Sequence, residues 1–155
     1  MSGLSRRRIR EIALQAAYEI EIGGSDLMKV LNRYIKDEDL DMPRRTFFKA
    51  LVRGTWRYKE YIDEIIGKLS LGWKLDRIAK IDLNILRMAI FESLIGIKNE
   101  DITDAIIINE AVILAKKFSG KDAGKFVNGI LATLIKEKIK WQGFLKGRRK
   151  EAAKD

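Results

Sequence analysis

The chain has no cysteine and no histidine among its 155 residues, and a single proline, Pro43. Without cysteine there is no disulfide framework and no thiolate chemistry, which fits a cytoplasmic protein. Without histidine there is no imidazole general acid–base catalysis, no Ser-His triad and no histidine-built zinc site. Carboxylates remain, and Asp82 and Glu92 fall in one candidate helix. They sit nearly three turns apart, too far for paired-carboxylate catalysis, so ion pairs or caps are the better reading. The phosphate loop GxxxxGK[ST] and the dinucleotide pattern GxGxxG are both missing. No apolar run reaches the roughly 18 residues of a membrane span. "MSGLSRRRIREIAL" lacks the unbroken apolar core of a secretory signal. No Pro/Gly/Ser-rich linker divides the chain, so one domain is expected.

What is present points to helix. Hydrophobic residues make up 46% of the chain, with long runs of Ala, Leu, Ile, Lys and Glu. Six or seven helical segments can be read, at about 4–22, 25–36, 44–70 (one helix or two joined near Gly54), 77–96, the "AIIINEAVILAKKF" segment and 122–140. Ser25 or Asp26 can cap the second, Pro43 suits the start of the third, and Asp76 can cap the segment 77–96. "SLGWKLD" and "GIKNED" read as loops. "AIIIN" is β-branched, but its continuation is helical with no turn signal, so the segment is expected to be helix. Segment 77–96 is apolar nearly all round, as in a central helix covered on several sides. The expected fold is an all-α bundle in two packed subdomains, about 1–70 and 71–141, followed by a basic, flexible tail at 142–155.

Net charge is +9. The excess sits in Arg6, Arg7, Arg8 and Arg10 at one end and in residues 136–155 at the other, while the stretch between is neutral. The ends are either solvated tails or, if the fold brings them together, one polyanion site.

Two helix faces do not fit a simple core. Ile9, Ile12, Ala13, Ala16 and Ile20 form one stripe, with Leu14 and Tyr18 opposite. That second face is buried by another helix, or it offers Tyr18 as an anchor for a partner or a second copy of the chain. In "GKDAGKFVNGIL", Val127, Ile130, Leu131, Leu134 and Ile135 keep helical spacing through Asn128-Gly129, a pair better known from hairpin turns. Gly129 then points outward beside Asp122, Lys125 and Phe126. A mid-helix glycine costs ~1 kcal/mol relative to alanine. Close approach of another helix, or of a ligand stacking on Phe126 with a phosphate near Lys125, would offset it.

"RRRIREIALQAAYE", "ILRMAIFESL" and "IINEAVILAKKFSGKDAGKFVNGIL", in that order, resemble the NusB family of bacterial transcription antitermination factors over nearly the whole chain. The resemblance implies a cofactor-free, non-enzymatic, two-subdomain helical protein. It would bind the single-stranded boxA element of ribosomal RNA leader transcripts together with NusE, a small-subunit ribosomal protein, in a complex on RNA polymerase. Carried over by position, Arg6, Arg7, Arg8, Arg10, Lys121, Asp122, Lys125, Phe126 and Asn128 would face RNA. Tyr18, Asp82 and Arg87 would face NusE. The alternative is a NusB-like module associated with a ribosomal RNA methyltransferase; this chain has neither room for a methyl-donor domain nor a catalytic cysteine. Monomer and homodimer both remain open.

Overall fold

The computed structural model describes residues 3–71, 74–96 and 101–154. Its helices are α1 (Gly3–Gly23), α2 (Leu27–Asp37), α3 (Met42–Arg57), α4 (Lys59–Leu69), α5 (Lys80–Leu94), α6 (Asp104–Phe118), α7 (Lys121–Lys136) and α8 (Lys138–Lys154), with a 3-10 turn at Leu75–Arg77 before α5. No strand occurs among the described residues. Parts of the two expected loops, 72–73 and 97–100, lie outside them.

The starts of these helices follow local chemistry. The Asp26 carboxylate accepts from Met28 N at 2.9 Å and Lys29 N at 3.2 Å, capping α2. Asp41 caps α3 through Arg44 N at 3.1 Å, and Pro43 lies in the first turn, where its missing N–H has no helical partner to lose. Asp76 does not cap α5; it falls in the 3-10 turn, and the helix starts after Ala79 without a side-chain cap.

Helix α5 is the axle of the fold. Every residue from Asp82 to Leu94 is buried, and α1, α3, α4, α6, α7 and α8 all pack on it. The α1 stripe Ile9–Ile20 is buried against it and α3. The opposite face of α1 divides: Leu14 is buried, which removes it from any exposed self-interface, and Tyr18 remains exposed.

Three boundaries differ from the sequence reading. The segment 44–70 breaks at Tyr58, not Gly54. Gly54 serves packing instead: a Cβ there would lie 2.1 Å from the Phe91 ring, so the glycine lets α5 seat under α3. The last helix ends at Lys136, with Glu137 as its C-cap, and α8 begins at once. The tail expected to be flexible is helical as far as Lys154, because Trp141 and Leu145 reach the core and Arg148 pairs with Glu64 of α4 at 2.9 Å.

Candidate nucleic-acid interface

The four N-terminal arginines share one turn of sequence, yet their environments differ. Helical spacing spreads them around the start of α1, so each meets a different neighbour. The Arg6 guanidinium lies 5.5 Å from the Phe47 ring centre and forms no salt bridge among the described residues. Arg7 is half exposed and donates two hydrogen bonds, both 3.0 Å, to Glu110 of α6. Arg8 reaches Glu38 at 2.6 Å and lies 4.0 Å from Glu11.

Arg10 is enclosed by the fold. It is 4% exposed and donates two 2.8 Å hydrogen bonds to Glu92. Burial alone would pull its pKa down, but the hydrogen bonds and charge of Glu92 reverse this and leave it raised. Its fork is used inside the fold, on the Glu92 carboxylate. Glu92 is thus an ion-pair partner, as its spacing from Asp82 suggested.

The second candidate segment opens α7. Gly120, at φ 118°, turns the chain out of α6, a conformation that favours glycine. Lys121, Asp122, Lys125 and Asn128 are exposed on the new helix, and Phe126 is half-buried against the core. Lys121 and Lys125 form no salt bridge among the described residues. Val127, Ile130, Leu131 and Leu134 are buried and Ile135 half-buried, so the stripe runs straight through Asn128-Gly129. No helix covers Gly129: a Cβ there would meet nothing within 4 Å. The close helix approach lies five residues earlier, where a Cβ on the buried Gly124 would sit 2.8 Å from Lys116 Cγ on α6.

Ion pairs connect the two segments. Arg7–Glu110 and Lys117–Glu11 both tie α1 to α6. Lys117 lies in the last turn of α6, just before α7 begins. Sequence reading missed Glu11, Glu110 and Lys117; the only signal was a set of acidic residues facing an arginine-rich helix, which needs tertiary contact to become specific. The two basic chain ends do not merge. Arg148 pairs with α4 and Arg149 lies 5.3 Å from the Tyr58 ring centre, while the N-terminal arginines turn to Phe47 and α6.

Of the residues assigned to a protein partner, Tyr18 is exposed. Asp82 is 8% and Arg87 2% exposed. Arg87 holds Asp63 at 2.7 and 2.8 Å and Glu21 at 2.8 Å, joining α1, α4 and α5. Any influence of Arg87 on a partner therefore passes through the helices it fixes.

A family model described as "NusB family" matches residues 7–136. The chain belongs to the NusB family. The transcription antitermination protein NusB of Acetivibrio thermocellus is 41% identical over 136 residues, spanning 88% of this chain and 92% of that protein. A structure of T. maritima NusB is 34% identical and superposes with a TM-score of 0.76, covering 85% of this chain and 91% of that one. A structure of the antitermination factors NusB and NusE in complex with dsRNA is 27% identical, with a TM-score of 0.75 over 87% of this chain and 98% of that one. In this NusB-family chain the match ends where α7 ends, so α8 lies beyond it. No described helix is long and apolar enough to cross a membrane.

Proposed function

We propose that the chain is a cytoplasmic, non-enzymatic transcription antitermination factor that binds boxA RNA of ribosomal RNA leader transcripts together with NusE. The observation that carries this reading is the pairing of α1 with α6. It sets the arginine-rich start of α1 beside the helical hairpin whose outer arm carries Lys121, Lys125, Phe126, Asn128 and the open Gly129. Arg6, Lys121 and Lys125, which have no carboxylate partner among the described residues, supply cations for phosphates, with Arg7 and Arg8 available by exchange from Glu110 and Glu38. Phe126 offers a stacking surface, Asn128 and Asp122 offer base-edge contacts, and Gly129 leaves room for a backbone. Tyr18 is the exposed anchor for NusE. Arg10 and Arg87 act by holding the surface in shape through Glu92, Asp63 and Glu21.

The test is binding of boxA RNA, scrambled RNA and a duplex of the same sequence, each with and without NusE. Lys125→Ala and Phe126→Ala should each weaken boxA binding about tenfold, and NusE should tighten it. Equal affinity for boxA and scrambled RNA in the presence of NusE would reject the reading.

A further inference from the structure

A second cationic surface lies on α3, in the middle stretch of the chain whose net charge is zero. Between Met42 and Arg57 there are five basic residues and no acidic one. The overall neutrality of the middle of the chain hides this concentration. Lys49, Arg53 and Arg57 recur every fourth residue, so they line one side of α3 about 6 Å apart along its axis. They border a groove of about 530 Å³ in which Trp56, Tyr58 and Phe91 supply the aromatic wall and floor and which no acidic side chain lines among the described residues.

Among the described residues, the cations around this groove have no carboxylate partner. Lys49, Arg53, Arg57, Lys59 and Arg149 form no salt bridge among the described residues. Three of them rest on rings instead: Lys59 lies 5.2 Å from the Trp56 ring centre, and Arg57 and Arg149 lie 5.6 and 5.3 Å from that of Tyr58. Arg149 comes from α8, beyond the part of the chain that the family model matches, so the C-terminal excess of charge adds to this face. The N-terminal arginines Arg6 and Arg10 stand farther along α3, outside the lining of the groove. Phe47, under Arg6 and Arg10, and Gly54, which lines the groove over Phe91, lie seven residues apart on one strip of α3.

We propose that this groove is a second binding surface for single-stranded RNA, with Lys49, Arg53 and Arg57 on successive phosphates and Trp56 stacked against a base. Evenly spaced cations beside a half-buried ring in an open groove match a charged backbone that carries a π-face at every step. An acidic peptide would use the cations and leave the aromatic wall idle. When a phosphate draws Lys59 off Trp56, the ring face it covers becomes free for the base. The proposal extends RNA binding to a face that the boxA reading leaves unused.

The experiment measures binding of a labelled oligouridylate of about 16 nucleotides, across a salt series, to the full chain and its variants. Arg53→Glu/Arg57→Glu should lower affinity at least tenfold, and Arg53→Gln/Arg57→Gln should reduce the log–log salt slope by about 1.4, the share of two phosphates. Trp56→Ala should weaken binding about tenfold without changing the slope. All three should leave boxA binding with NusE at its wild-type value, which separates this site from the one on α1 and α7. Helical circular dichroism and melting temperature establish that each variant is folded, and the Gln pair serves if charge reversal perturbs the fold. Unchanged oligouridylate affinity in the Gln pair overturns the proposal. So does equal loss of boxA binding, or displacement of the RNA by an oligoglutamate of the same charge.

Discussion

Arg10 and Glu92 form a buried, two-pronged ion pair, with both contacts at 2.8 Å, between the start of α1 and the end of α5. Removing one partner leaves a charge stranded in the core, at a cost of about 3–5 kcal/mol. Glu92→Ala should therefore lower the urea-derived unfolding free energy by that amount. Arg10→Met/Glu92→Leu should recover most of it, since matched apolar replacement of a buried pair is often close to neutral. A loss in the double variant as large as in the single one would show that packing, not charge, is at stake.

The same substitution at two glycines should have opposite signs. Gly129→Ala places its Cβ in open space in mid-helix, which removes a propensity cost of ~1 kcal/mol. The melting temperature should rise by about 2–4 °C. Gly54→Ala drives a Cβ to 2.1 Å from the Phe91 ring and should destabilise by about 1–3 kcal/mol. Calorimetry on the two variants side by side reads both effects.

Acid should loosen the joint between α1 and α5. Burial raises the pKa of the Glu21 carboxyl, but the hydrogen bond and charge of Arg87, with a further hydrogen bond from Asn84, overcome that and hold it below the usual value. Unfolded Glu21 therefore binds a proton more readily, near ~4.3, than folded Glu21 does. Its stabilisation is complete above the unfolded pKa and is lost as pH falls through the lower folded one. Urea midpoints followed from pH 7 downward should fall less steeply below about pH 4.3 in Glu21→Gln than in the wild type.

Arg7 is held by Glu110, and a phosphate must compete for it. Glu110→Gln removes the competing charge and leaves a neutral hydrogen-bond acceptor. BoxA affinity should rise at low salt, and the salt slope should steepen by about 0.7, the share of one single-strand phosphate. A slope equal to that of the wild type would mean that Arg7 stays on α6 when RNA binds.

Much of the fold is legible in the linear chain because helical periodicity is a local property. The apolar stripes of α1 and α7, the near-complete burial of α5 and the Asp26 cap all follow from spacing and residue type. The Asn128-Gly129 pair reads correctly as helix for the same reason: the buried stripe on either side outweighs a dipeptide preference. The boundary at Tyr58 and the helical state of 142–155 are less legible. The first has no proline or glycine to mark it, and the second depends on Trp141 and Leu145 finding a core that other helices build.

For the candidate site, the sequence alone determined which residues carry charge, aromatic rings and backbone freedom, and on which side of each helix they stand. Only tertiary structure decided their fates. Arg7 remains half exposed while Arg10, three residues on, is buried, because each meets a different carboxylate from a helix distant in sequence. Gly54 and Gly124 admit neighbouring side chains, whereas Gly129 faces open space. The basic C-terminus went to α4 rather than to α1 because Arg148 finds Glu64 there and Leu145 finds the core. Composition and period are local sums, but the partner that neutralises a charge or fills the space beside a glycine comes from elsewhere in the chain.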